Sequence, residues 1–274
     1  MTASKSSIKV LLVGAGGLGG IYAWRLDSSG KAQVTTVCRS NYETVKSDGF
    51  RITSKAFGDA VYRPHKVVRT VNEAVADGEV YDFVIVCTKA LSHRCDMSAA
   101  IAPAVQSPHT IIMIIQNGIG IEDPYAARYP NNPIVSTISY IDASQPTSGT
   151  ITHGVFTLLE MGLFSSNTAN YDLDLAIARV NELCQVWTGS GVETKISENI
   201  QVSRWSKLVW NASFNTVSVA SGGNDAKQML ASPECAELIC KVMAEVFNAG
   251  KAVTGSELTL PGNQRTPEDV IKDI

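Results

Sequence analysis

Lys207, Asn211 and Asn215 recur at four-residue intervals in the run "NIQVSRWSKLVWNASFNTVSVA", which begins at Asn199. On a helix this spacing aligns them in a polar stripe about 12 Å long, beside Trp205, Val209, Trp210, Phe214 and Val217. Asparagine is a poor helix former, so two of them on an apolar helix call for a reason. One reason is a ligand: the stripe can span a small molecule with several oxygens, and a desolvated lysine can protonate a ketone oxygen as hydride reaches the carbon. The other reading is the solvated face of an ordinary helix.

A second cluster points to what could supply the hydride. Gly14-Ala15-Gly16-Gly17-Leu18-Gly19 fits G-x-G-x-x-G. It follows the apolar run "IKVLLV" (8–13) and precedes a helical pattern of Leu18, Ile21, Tyr22 and Leu26, the setting in which this motif holds the pyrophosphate of a dinucleotide. Gly14 permits the tight turn, Gly16 lets backbone approach the phosphates, and Gly19 lets helix and strand pack closely. The helix N-terminus adds free N–H groups and partial positive charge. A glycine-rich turn without a ligand is the plainer alternative.

About 20 residues after the glycines, an NAD site carries Asp or Glu for the ribose 2′-hydroxyl. This chain reads Val37-Cys38-Arg39-Ser40-Asn41 there, with no acid. An arginine among small polar groups suits a 2′-phosphate gripped in a bidentate, charge-assisted way, so NADP(H) is the expected cofactor; a solvated surface arginine is the alternative. "CTKA" places Lys89 just past the apolar run 83–87, and "QNGIG" places Asn117 just past 110–115. Ligands collect at such strand ends. Equally, a lysine there can mark the return to solvent, and Asn-Gly can be a turn.

The elements that must position these residues fall into two regions. Over 1–197, short Val- and Ile-rich runs at 8–13, 33–38, 83–87, 110–115 and 134–140 alternate with helical or loop segments. Such runs suit strands buried on both faces of a parallel sheet, which predicts a doubly wound α/β, Rossmann-type dinucleotide-binding domain. "ASQPTSG" (143–149) is expected to be a surface turn. Over 198–274 the texture is helical, with a second long helix carrying Leu238, Ile239, Val242, Met243, Val246 and Phe247 after Pro233 and Glu234.

Composition narrows the partners. The 274 residues are 45% hydrophobic and 18% charged, enough to bury one large core or two. Twenty-three Lys and Arg against 26 Asp and Glu give a net charge of −3, so no basic field attracts nucleic acid. No apolar run approaches the roughly 20 residues that cross a bilayer, and Met1–Ser7 is too short and weakly basic to be a targeting signal. A cytoplasmic protein without a membrane partner is expected. Cys38, Cys87, Cys95, Cys184, Cys235 and Cys240 form no C-x-x-C pair, and most lie in apolar runs, so reduced thiols and no metal site are expected.

In order, G-A-G-G-L-G (14–19), Arg39, C-T-K-A (87–90), Q-N-G-I-G (116–120), T-H-G (152–154) and W-S-K-L-V-W-N-A-S-F-N (205–215) resemble the ketopantoate reductases, or 2-dehydropantoate 2-reductases, over most of residues 8–225. The resemblance implies NADPH-dependent reduction of 2-dehydropantoate to pantoate, a step toward pantothenate and coenzyme A. It also implies an all-α second domain like the C-terminal domain of 6-phosphogluconate dehydrogenase. By the same resemblance Lys207 is the general acid, Asn211, Asn215 and Asn224 contact substrate, and Asn117 lies where nicotinamide meets substrate. Lys89 belongs to the cofactor cleft, with Gly14, Ala15, Gly16, Gly17, Leu18, Gly19 and Arg39. His153 matches a position without an implied catalytic role and is expected to be structural. Family members continue into a stretch resembling S-M-x-x-D…T-E-I-D, which carries a serine and a glutamate near substrate; "TPEDVIKDI" (266–274) precedes any such stretch. Either a shortened helical domain with weakened catalysis, its exposed helices hidden in a homodimer, or a longer protein is expected. A reductase of another branched 2-oxo acid and an NADPH-binding sensor with little turnover are the alternatives.

Overall fold

Ile8–Val13 forms β1, and its successive side chains enter two different cores. Val10 and Leu12 pack with Ile21, Leu26, Leu183 and Trp187 on one side of the sheet; Leu11 and Val13 pack with Val84, Ile112, Ala74 and Tyr125 on the other. That is the signature of a strand covered on both faces. In this computed structural model, residues 7–91, 95–165, 170–260 and 266–272 are described. Residues 1–6, six of the seven read above as carrying no targeting signal, and the last two residues lie outside them.

The chain divides into two compact units, Met1–Glu198 and Asn199–Ile274. In the first, β1 is followed by α1 (Gly17–Ser28), β2 (Ala32–Val37), α2 (Tyr42–Asp48), β3 (Phe50–Ser54), β4 (Ala60–Tyr62), β5 (Lys66–Val68), α3 (Val71–Val75) and β6 (Phe83–Val86). Then come α4 (Met97–Ala100), β7 (Ile111–Ile115), α5 (Asp123–Arg128), β8 (Ile134–Thr147), β9 (Thr150–Leu163), α6 (Leu173–Gly189) and β10 (Thr194–Ile196). The sheet order is β4-β3-β9-β8-β7-β6-β1-β2-β5, with β10 also on β9. From β8 through β5 every pairing is parallel, the doubly wound α/β core expected from the apolar runs.

The sheet differs from the expectation beyond that core. β8 and β9 make a long antiparallel hairpin, and β3 joins β9 in parallel and β4 antiparallel. The segment 143–149 is therefore mostly strand, and the turn is confined to Ser148 and Gly149, the latter at φ +73°. Pro146 made the segment look like a turn; it sits where the register shifts between Ser144 and Thr147, a bulge that spares it a ladder hydrogen bond. His153, on β9, is buried, with Nδ1 2.8 Å from Ser54 Oγ, Nε2 3.0 Å from the Phe156 carbonyl oxygen, and its ring stacked on Phe57. It joins β9 to β3, a structural role.

The second unit is helical: α7 (Ile200–Ala220), α8 (Ala226–Leu230), α9 (Pro233–Thr254) and α10 (Pro267–Lys272). Val209, Phe214 and Val217 of α7 share a core with Ile239, Met243 and Phe247 of α9. Helix α9 begins with Ser232 accepting the Cys235 N–H and Pro233 in its first turn, and ends at Gly255 in the left-handed conformation. A Cβ at Gly250 would lie 3.0 Å from Trp205, so this glycine lets the two long helices approach.

The glycine loop provides a stability test. A methyl group at Gly19 collides with the Gly14 carbonyl oxygen and crowds Leu12 and Cys87, whereas none of the described residues comes within 4 Å of one at Gly16. Gly19→Ala is expected to destabilise the protein by about 1–3 kcal/mol in urea unfolding, and Gly16→Ala, free of any clash but at the N-cap of α1, by less, on the order of 0.5 kcal/mol.

Candidate functional site

The β1–α1 connection is built to leave backbone groups available. Gly14 takes φ +103°, closed to most side chains, and a Cβ there would lie 2.7 Å from the Thr88 amide nitrogen. Gly16 is the N-cap of α1; it supplies no side-chain cap, and the first turn contains no acidic residue. The leading N–H groups of a twelve-residue helix thus keep their hydrogen-bonding capacity and partial positive charge, the arrangement that receives a phosphate. Gly17 serves another purpose: a Cβ there would lie 2.8 Å from the Ser144 backbone, so it admits the β8 strand against the loop.

A cleft of about 1330 Å³ opens over this loop, large enough for a dinucleotide. Gly14, Ala15, Gly16, Gly17, Leu18, Gly19, Arg39, Lys89 and Asn117 all line it. At one end Arg39 and Ser40 follow β2, exposed, and Arg39 has no ion-pair partner among the described residues. The buried Asn41 donates from Nδ2 to the Ala15 carbonyl oxygen at 2.8 Å, tying the end of β2 to the glycine loop. No carboxylate stands directly after β2, where a ribose diol would be read. The donors here fit an anionic dinucleotide.

At the other end, buried Gln116 donates from Nε2 to the Thr88 carbonyl oxygen at 2.6 Å, joining the loops that follow β6 and β7. This bond brings the exposed Lys89 and Asn117 to one side of the cleft. Desolvation pushes the nearby Cys87 thiol well above its ordinary range, so it packs as a neutral group. Asn41 and Gln116 anchor the loops and Gln145 of β8 also lines the cleft. The spacing of sequence motifs singled out none of the three as a positioning residue; for Asn41 and Gln116 the signal was an amide beside a strand end, and Gln145, inside β8, carried none.

In the second unit α7 carries Lys207 and Asn211, both half-buried, and Asn215, exposed. Desolvation lowers the Lys207 ammonium from 10.5 to about 8, and repulsion from the buried Arg204 one turn earlier adds to the effect. A lysine so placed can give up its proton near neutral pH. Asn224 directly precedes Asp225, the N-cap of α8, and its carbonyl oxygen accepts from Ser218 Oγ at 2.6 Å. Each residue singled out in the sequence therefore has a place: the glycines, Arg39, Lys89 and Asn117 on one cleft, and Lys207, Asn211, Asn215 and Asn224 in the helical unit.

Two family models match the chain, "Ketopantoate reductase PanE/ApbA" over residues 10–166 and "Ketopantoate reductase PanE/ApbA C terminal" over residues 199–273. The meiotically up-regulated gene 72 protein of Schizosaccharomyces pombe is 26% identical over 254 residues, 90% of this chain and 44% of that protein. A 2-dehydropantoate 2-reductase of Nostoc is 25% identical over 245 residues, covering 89% of this chain and 73% of the relative. The chain thus spans less than half the length of the first relative and about three quarters of the second. The crystal structure of 2-dehydropantoate 2-reductase from Methylococcus capsulatus superposes with a TM-score of 0.79 at 32% identity, covering 97% of this chain and 79% of the other. The chain belongs to the ketopantoate reductase PanE/ApbA family.

Proposed function

We propose that this protein is an NADPH-dependent reductase of 2-dehydropantoate, forming pantoate on the route to pantothenate. The observation that carries the reading is Lys207: a lysine held near a pKa of 8 by desolvation, on a helix that adds Asn211 and Asn215 at the next two turns. Bound NADPH supplies hydride to C2 of the ketone. The glycine loop and the start of α1 hold its pyrophosphate, and Arg39 holds its 2′-phosphate. Lys207 donates a proton to the ketone oxygen as charge builds there and regains one from solvent. Asn211, Asn215 and Asn224 donate hydrogen bonds to the substrate's oxygens, Lys89 adds positive charge along the cleft, and Asn117 orients the reacting ring. The Nostoc and Methylococcus relatives, both called 2-dehydropantoate 2-reductase, support the substrate.

A panel of 2-oxo acids assayed with NADPH and NADH tests it. Saturable NADPH oxidation with 2-dehydropantoate is expected; turnover only with other oxo acids, or NADPH binding with none, overturns the substrate assignment. Arg39→Asp is expected to weaken NADPH far more than NADH, since it sets a carboxylate against a phosphate dianion; an unchanged preference removes Arg39 from the site. Lys207→Ala is expected to lower kcat by roughly 10²–10⁴-fold with NADPH affinity retained. The pH profile carries the sign of the lysine's shift. Its protonated form dominates below about 8, so kcat for ketone reduction should be level below that pH and fall about tenfold per unit above it. A rate level to pH 10 would clear Lys207 of the proton transfer.

A further inference from the structure

Arg69 is the first residue after β5, and β5 lies beside β2 in parallel with Val37 opposite Val68. The Cys38 amide donates to the Val68 carbonyl oxygen at 2.9 Å, so the pairing continues past the last strand residues. Arg39 and Arg69 therefore leave the sheet at adjacent strand ends, and both line the same cleft. Their surroundings differ. The Arg69 guanidinium lies 4.1 Å from the ring centroid of Tyr42, a buried residue of α2, and its Nη2 pairs with Glu43 Oε1. The Arg69 amide donates to Glu73 Oε2 at 2.9 Å, which anchors the backbone beneath the side chain.

The ring of Tyr42 sets the plane of the guanidinium, and Lys46, 2.8 Å from the Tyr42 hydroxyl, keeps a further positive charge near that ring. The anion opposite is held far less firmly, since the Glu43 side chain is 77% exposed. A carboxylate at the surface is a weak and exchangeable partner, whereas a phosphate carries a charge of about −1.5 to −2 and accepts bidentate bonds from a guanidinium. The charges of Arg39, Arg69 and Glu43 sum to one net positive charge, and the nearby Lys46 and Glu73 offset each other.

We propose that Arg69 is a second residue for the cofactor's 2′-phosphate and that Glu43 competes with that phosphate for its guanidinium, so that Arg69 and Glu43 together set the preference for NADPH over NADH. The inference rests on the NADPH reading above and extends it to two residues outside the glycine motif and its strand-end position. Arg39 grips the phosphate from the β2 side and Arg69 from the β5 side. Glu43 lowers the affinity the two arginines would otherwise have.

Calorimetry with 2′,5′-ADP and 5′-AMP, which differ only in the 2′-phosphate, isolates this end of the cleft from turnover. Arg69→Gln is expected to weaken 2′,5′-ADP about tenfold or more while leaving 5′-AMP unchanged. Glu43→Gln is expected to tighten 2′,5′-ADP about two- to fivefold, again without effect on 5′-AMP. If the wild-type chain favours 2′,5′-ADP and Arg69→Gln keeps that preference, or weakens both probes equally, the role of Arg69 is overturned and the phosphate is left to Arg39. If Glu43→Gln changes nothing, the competition is overturned. A wild-type chain that binds the two probes alike overturns the NADPH reading itself, and this inference with it.

Discussion

Between the Cα of Gly19 and the carbonyl oxygen of Gly14 there is no room for a methyl group, and that contact sets the geometry of the first unit. It seats the first turn of α1 on the ends of β1 and β6 and leaves the leading helix N–H groups uncapped over the cleft. Gly14 also meets the Thr88 backbone too closely for a side chain, so the loop is wedged against the strand end that carries Lys89. The lining of the cleft follows from those approaches. Asn41 pins the loop from the β2 side and Gln116 joins the β6 and β7 ends. Backbone that must lie this close can be made only of glycine, and backbone with its N–H groups exposed suits an anion.

The second unit depends on a different constraint, the cost of holding a cation away from water. Lys207 and Arg204 stand one turn apart on α7, Arg204 buried and Lys207 half-buried. Packing of Val209, Phe214 and Val217 against Ile239, Met243 and Phe247 offsets that cost by removing apolar surface from water. The lowered pKa and the apolar core are therefore two results of one helix position, since the core fixes the helix whose burial desolvates the lysine. Gly250, which accommodates Trp205, sets how closely α9 approaches α7.

The hairpin of β8 and β9 links the sheet's regular and irregular halves. Its far end brings Ser144 against Gly17 and Gln145 to the cleft, while His153 joins it to β3. A glycine of such a motif can thus answer to tertiary packing as well as to a ligand. Position in the motif does not separate those two demands; the neighbour at Cβ distance does.

The parts legible in the sequence were those written in local periodicity and spacing. Continuous apolar runs marked β1, β6 and β7 because both faces of those strands are buried, and three- and four-residue repeats marked α7 and α9. The glycine hexad, Arg39 and the Lys207 stripe stood out as candidates because a strand end or a helix face places residues at fixed offsets along the chain. The short strands β3, β4, β5 and β10 are half-exposed or three residues long, and Pro146 disguised the second half of β8. Only the tertiary structure decided what depends on register between distant segments: Asn41 on Ala15, Gln116 on Thr88, Arg69 beside Arg39, and the desolvation of Lys207. Periodicity records which side of an element is buried, but which residue of another element lies opposite is set by how whole elements pack.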